Sequence, residues 1–158
     1  VDIMDNLLQL CAEKGYRPYF FGAKQDVLEK AIQNIRQQYP DIKIAGYRNG
    51  YFTASEEERI IRDIAASNAD CLFIAISSPT KERLLSQYKD IINVPFLMGV
   101  GGSIDIKAGI TRRAPLWMQR AGLEWFYRFL QEPRRMFKRY LVTNSRFLCL
   151  LFKEMQKN

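Results

Sequence analysis

The chain contains no histidine. That absence removes Ser-His-Asp and Cys-His triads, most zinc sites and the commonest general base near neutral pH. Acid–base chemistry must therefore rest on carboxylates, lysine, tyrosine or the substrate itself. Cysteine is scarce: Cys11, Cys71 and Cys149 are odd in number, far apart and set among apolar neighbours. This excludes a disulfide framework and reads as reduced, buried thiols of a cytoplasmic protein. No apolar run approaches the about 20 residues of a membrane-spanning helix. No internal repeat or low-complexity stretch occurs. The sequence opens Val1-Asp2-Ile3, without an initiator Met and without a basic-then-apolar leader. The expectation is a piece of a longer chain with no secretory signal in it.

What is present is an ordinary globular composition. With 158 residues, 47% hydrophobic and 26% charged, the chain is long enough for one domain with its own core. The net charge of +7 is unevenly placed: residues 1–111 hold 13 Lys+Arg and 14 Asp+Glu, whereas residues 112–158 hold 11 and 3. A nearly neutral body thus carries a basic tail. Such a tail seeks phosphate, in a nucleotide, a nucleic acid or an anionic lipid, unless it is simply a solvated helix face.

Periodicity divides residues 1–111 into alternating elements. Residues 3–14 carry apolar positions at helical spacing, and Gly15 ends them. Residues 17–22 form a short aromatic strand, and 24–39 an amphipathic helix with Val27, Leu28, Ala31, Ile32 and Ile35 on one face. A second strand is expected at 42–45, followed by a turn-rich loop at 46–53. Ser55 and Glu58 suggest a capping box opening a helix to about 66. Strands at 71–75 and 94–100 flank a helix that starts at Ser78-Pro79 and runs to about 89. Short apolar strands alternating with amphipathic helices predict an α/β fold: a Rossmann-like, mainly parallel sheet flanked by helices. Ligands of such sheets bind at the strand carboxyl ends, and the unusual loops (22–23, 46–53, 77–82 and 99–109) all follow strands. Residues 112–158 read as a separate basic, aromatic, helical C-terminal appendage, in which 112–115 lead into 116–120 and Gly122, an aromatic helix at 123–131 stops before Pro133, and clusters follow at 134–139 and 146–153.

Three loops carry candidate chemistry. Gly99-Val100-Gly101-Gly102-Ser103 follows a strand and could bring backbone amides to a phosphate, or be a plain tight turn. It lacks the G-x-G-x-x-G spacing of the dinucleotide fingerprint. Asp105, just beyond, could accept from a ribose hydroxyl or a base N–H, or cap a helix. In Gly46-Tyr47-Arg48-Asn49-Gly50-Tyr51-Phe52 the turn at Asn49-Gly50 could aim Tyr47 at a nucleobase, or the aromatics could simply pack. Ser78-Pro79-Thr80-Lys81-Glu82 puts polar groups and a cation at a helix start, an anion site or ordinary capping. Arg112, Arg113 and Arg120 could neutralise a diphosphate. Arg134, Arg135, Lys138 and Arg139 alternate with bulky apolar residues, as suits a bilayer interface.

The stretches GVGGSIDIKAG and RRAPLWMQRAGLEWFYRFLQEPRRMFKRYL closely resemble the C-terminal signature of the WecG/TagA/CpsF glycosyltransferases (glycosyltransferase family 26). GYRNGYF and SSPTKE fit the family's order and spacing, and VDIMDNLL resembles a segment in mid-sequence of the family. The resemblance implies transfer of a sugar, N-acetylmannosamine or a related hexose, from a UDP-sugar donor to a polyprenyl-diphosphate-linked sugar. It implies inversion, no bound metal or other cofactor, and a peripheral place on the cytoplasmic face of the plasma membrane, in cell-surface polysaccharide synthesis. By similarity, Tyr47, Asn49, Gly50, Ser78, Gly101, Gly102 and Asp105 form the donor nucleotide set. Lys81 and Glu82 are candidate sugar contacts. Arg112, Arg113, Arg134, Arg135 and Arg139 are assigned to the acceptor lipid diphosphate or the leaving diphosphate. Lys81 departs from the family's Ser-Pro-x-Gln-Glu pattern, replacing a group that donates and accepts by one that only donates. The family's candidate catalytic Asp lies upstream of the segment that Val1 matches, so no catalytic base is named. A nucleotide-sugar-binding module without turnover is the competing reading. A nucleic-acid-binding domain is a weaker one, because no such motif accompanies the basic tail, and nucleic acid is not an expected partner. Self-association through exposed apolar surface is a further expectation.

Overall fold

The computed structural model describes residues 1–133 together with Phe137, Ser145, Phe147 and Met155. The chain divides into two compact units, Val1–Ile110 and Thr111–Asn158. The first unit contains helix α1 (Asp2–Lys14), strand β1 (Pro18–Gly22), α2 (Gln25–Gln38), β2 (Gly46–Arg48), α3 (Glu57–Ala66), β3 (Cys71–Ala75), α4 (Thr80–Gln87), β4 (Phe96–Gly99) and α5 (Ser103–Lys107). The second contains α6 (Leu116–Arg120) and α7 (Glu124–Gln131).

The four strands are all parallel and lie in the order β2-β1-β3-β4. Chain direction across the sheet therefore reverses between β1 and β3. Crossovers of one hand then require the connecting helices to change face. They do: Phe20 and Phe73 pack with α1, α2 and α5, whereas Tyr19, Phe21, Leu72 and Ile74 pack with α3 and α4. The central strands are buried on both faces, which is why they read as unbroken apolar runs. Phe20 and Phe73 stack at 5.3 Å between ring centres across the β1–β3 pair.

Two expected elements are placed differently. The second strand is not at 42–45 but at Gly46–Arg48. Ile42 is buried against the α2 side as part of the turn that leaves the helix, with its N–H donating to the Tyr39 carbonyl at 3.1 Å. An apolar run reports burial, not ladder pairing. Gly46 suits the edge position because a Cβ there would stand 2.6 Å from the Tyr19 ring. The capping box is not Ser55 with Glu58 but Thr53 with Glu56, ahead of a 3-10 turn at Ala54–Glu56. Both pairs have the required spacing. Glu58 is instead taken up by Arg62 one turn on, at 2.6 Å.

In the second unit the side chain of Gln131 bridges the backbone of Arg112, donating to its carbonyl at 2.9 Å and accepting from its N–H at 2.8 Å. This fastens the segment before α6 to the end of α7.

Candidate functional site at the carboxyl edge of the sheet

Where a parallel sheet reverses its order, the loops leaving the two adjoining strands part to opposite faces and leave a crevice. Here those strands are β1 and β3. Gly22 ends β1 at φ +135°, and a Cβ on it would lie 2.4 Å from the Ala75 carbonyl carbon. Only glycine fits so close to the end of β3. Ala23 follows in the left-handed region at φ 58°, which costs a residue bearing a Cβ about 1 kcal/mol. Its N–H donates to the Ala75 carbonyl at 3.2 Å, and its own carbonyl accepts from Gly50 at 2.9 Å. The loops after β1 and β2 are thus joined to the end of β3.

The loop after β2 is held at several points. The Asn49 side-chain oxygen accepts from the Tyr51 N–H at 3.0 Å, and its amide donates to Gln25 at the start of α2 at 2.9 Å. Phe52 stacks on Phe21 at 5.6 Å. Arg48 reaches Glu56 at 3.4 Å. Hydrogen bonds from the Thr53 backbone and hydroxyl hold the Glu56 carboxyl below the usual value, helped by Arg48 and Arg59. Asn49 and Gly50 therefore serve the loop's shape. Tyr47 sits in β2, opposite Phe20 in register, and is 40% exposed. The loop itself presents Tyr51, 67% exposed, as its outward aromatic ring. Tyr47, expected in the loop, thus lies in the edge strand that precedes it.

After β3, Ser77 accepts the Lys81 N–H at 3.2 Å as α4 begins. Lys81 and Glu82 form an ion pair at 3.2 Å. The Glu82 carboxyl is held below its ordinary value by its own backbone N–H first, then by Lys81 and by Ser78. Ser78, Lys81 and Glu82 are thereby one polar group at the helix start. The Lys81 ammonium also lies against Gly99: a Cβ there would be 2.9 Å from its Nζ. Val100 donates to the Ile74 carbonyl at 2.9 Å, fixing the glycine loop after β4 to β3. Gly101 takes φ +50° with open space where a Cβ would be, and Gly102 caps α5. Asp105 is half-buried in the first turn of α5 and has a polar partner of its own.

The structure thus brings Asn49–Gly50 to Gly22–Ala23, and Ser78, Lys81 and Glu82 to the Gly99 end of β4. The association of Lys81 with Gly99 had no sequence signal, since 18 positions separate them. Arg112 is exposed and Arg113 half-buried in the second unit, and Arg113 has an interaction partner. Arg134, Arg135 and Arg139 lie outside the described residues. A hollow of about 420 Å³ exists elsewhere, at the amino end of the sheet, and none of these candidate residues lines it. Among the described residues no cluster of three or more Cys, Asp or Glu could hold a metal ion. No described helix is long and apolar enough to cross a membrane.

The family model described as "Glycosyl transferase WecG/TagA/CpsF family" matches residues 1–158. The chain belongs to this family. It is 36% identical over 156 residues to the N-acetylglucosaminyldiphosphoundecaprenol N-acetyl-beta-D-mannosaminyltransferase of Bacillus subtilis (strain 168), covering 99% of this chain and 60% of that protein. The identically named protein of Bacillus spizizenii is 34% identical over 134 residues, 85% of this chain and 51% of that one. The chain thus spans about half to three-fifths of the length of these relatives.

Proposed function

We propose that residues 1–110 bind the nucleotide-sugar donor of a glycosyltransferase that moves N-acetylmannosamine, or a related hexose, from UDP to a polyprenyl-diphosphate-linked sugar. The observation that carries this reading is the meeting of strand-end loops at the β1–β3 reversal, with Lys81 laid against the glycine loop after β4. In the transfer, an acceptor hydroxyl attacks the anomeric carbon as the UDP oxygen leaves, with inversion. The leaving diphosphate gains one negative charge, which must be met without reorganisation. Lys81, the α4 start and the amides of residues 100–102 are the groups of this chain suited to meet it. Glu82, held below its ordinary value first by its own backbone N–H and then by Lys81 and Ser78, can accept from sugar hydroxyls. Asp105 and Tyr51 or Tyr47 are assigned to the nucleoside. No metal enters this reading, since fixed cations and amides carry the diphosphate charge.

The second unit supports a peripheral position on the inner membrane face, where a lipid-linked acceptor is anchored. Leu116, Trp117, Trp125, Phe126 and Leu130 are all 40% exposed or more, in a segment dense in arginine. Rings that enter the headgroup layer while cations meet lipid phosphate are the expected interfacial arrangement. The tail arginines, Arg134, Arg135 and Arg139 with Arg112 and Arg113, are assigned to the acceptor diphosphate.

The test is a thermal-shift panel with UDP-N-acetylmannosamine and UDP-N-acetylglucosamine against the matching ADP- and GDP-sugars. A ligand at 100 times its Kd stabilises the folded chain by about 2.7 kcal/mol, so a uridine-selective rise in Tm is expected, reduced by Lys81→Ala. Equal shifts with all three nucleotides, or none, would overturn the donor assignment. Binding without transfer to a polyprenyl-diphosphate sugar would reduce the proposal to a donor-binding module.

A further inference from the structure

At the end of the sheet away from the strand carboxyl edge, α1 and the first residues of β3 and β4 enclose an apolar groove of about 420 Å³. Leu7, Leu10, Tyr16 and Phe96 form its walls, and Cys11 and Cys71 also line it. Both cysteines are free thiols and buried, 3% and 7% exposed. Their sulfurs stand 3.6 Å apart although 60 positions separate them in sequence. Sulfurs at that distance are in van der Waals contact, about 1.6 Å short of a disulfide bond. Cys11 lies on the face of α1 that also buries Met4 and Leu8. The ion pair that fastens α1 to α5, Asp5 with Lys107 at 2.5 Å, lies near the other end of the helix. The C-terminal turns of α1 can therefore settle onto β3 without breaking that tie.

We infer that Cys11 and Cys71 are a peroxide-reactive dithiol that closes to a reversible disulfide, with the apolar groove as the way in for the oxidant. The two thiols are not equivalent. Either sulfur can donate in this contact; with Cys71 as the donor, Cys11 is held below its ordinary pKa, and the same bond, with burial, pushes Cys71 up. Cys11 is accordingly the nucleophile and Cys71 the resolving thiol. The Cys11 thiolate attacks one oxygen of hydrogen peroxide and the O–O bond breaks. The released hydroxide takes a proton to become water, leaving a sulfenic acid on Cys11. The Cys71 sulfur then attacks the sulfenic sulfur, the S–S bond forms, and the sulfenic oxygen leaves as water with the Cys71 proton. Two thiols and one peroxide yield one disulfide and two waters.

The experiment uses the full chain, reduced, desalted and exposed to hydrogen peroxide, then unfolded for thiol counting and mass measurement. The expected result is a fall from three titratable thiols to one, an intact mass lower by about 2 Da for the loss of two hydrogens, and recovery of both on reduction. Peptide mapping without reductant should join the Cys11 and Cys71 peptides and leave Cys149 free. The oxidised chain should also melt at a higher temperature than the reduced one, since the link closes a long loop of the unfolded chain. Cys71→Ser should stop at a Cys11 sulfenic acid that a dimedone-type reagent traps, whereas Cys11→Ser should leave Cys71 unreacted. Three thiols surviving the treatment, a disulfide that includes Cys149, or equal peroxide reactivity of all three cysteines would overturn the proposal. The wild-type measurements decide it even if a variant fails to fold.

Discussion

Gly22 and Gly101 are both glycines at positive φ, but for different reasons. At Gly22 the backbone of Ala75 occupies the space of a Cβ, so both dihedral strain and overlap oppose any side chain. Gly22→Ala should destabilise the fold by about 3 kcal/mol, the sum of a strained backbone and an overpacked contact, seen as a lower urea midpoint at unchanged m. At Gly101 nothing lies within 4 Å of a Cβ. Gly101→Ala should cost only about 1 kcal/mol of stability. If the loop lies against a diphosphate, the same change should weaken UDP-sugar binding at least about tenfold, the loss of roughly one charge-assisted hydrogen bond. Isothermal titration on the two variants separates the structural glycine from the ligand-facing one; unchanged affinity in Gly101→Ala would place the donor elsewhere. The glycine cluster was legible in the sequence, but the distinction between its members was not. It depends on what stands opposite each residue.

At the level of elements, the join of α3 to α4 rests on a bidentate pair. Arg83 donates to both oxygens of Glu57, one at 3.0 Å and the other closer, and also to Gln87 at 3.0 Å. Glu57 is 5% exposed, and the hydrogen bonds from Arg83 hold its carboxyl below the ordinary 4.5. A carboxyl whose pKa is depressed on folding adds stability above its unfolded value and loses it as pH falls through the folded value. Glu57→Gln should therefore lower Tm at pH 7 by a few degrees, equivalent to about 1–2 kcal/mol for a lost charge-assisted bond. The gap between wild type and variant should start to narrow below pH 4.5 and close as pH falls through the lower folded value, where wild type loses the charge too. A Tm difference independent of pH would mean that the carboxylate charge contributes nothing. Periodicity located α3 and α4 well, because each buries one apolar stripe. It could not find this pair, nor choose between Thr53–Glu56 and Ser55–Glu58 as the cap, because both satisfy the same spacing. It also put β2 four residues early, since Ile42 is buried without joining the sheet.

For the whole molecule, both tryptophans, Trp117 and Trp125, lie on the second unit and are 65% and 55% exposed. Intrinsic fluorescence is thus a direct report on that unit. Mixing the chain with vesicles rich in anionic lipid should blue-shift its emission, and raising the salt from 0.05 to about 0.5 M should reverse most of the effect, because screening shortens to a few ångströms. Trp125→Ala should weaken vesicle binding by removing buried ring area, about 2 kcal/mol at full insertion. Emission unchanged by anionic vesicles would remove the membrane assignment while leaving the donor site intact.

Alternation of short apolar strands with amphipathic helices was enough to specify a parallel sheet covered on both faces, because two-faced burial leaves an unbroken apolar run. The motif order was enough to specify the family, and the charge count alone separated a neutral body from a basic tail. The order β2-β1-β3-β4, and with it the meeting of the loops at the β1–β3 reversal, was decided only in three dimensions. So were the contact of Lys81 with Gly99 and the pairing of Cys11 with Cys71. The reason is physical: local sequence fixes which face of an element is apolar, whereas the neighbour that each end meets depends on crossovers spanning tens of residues.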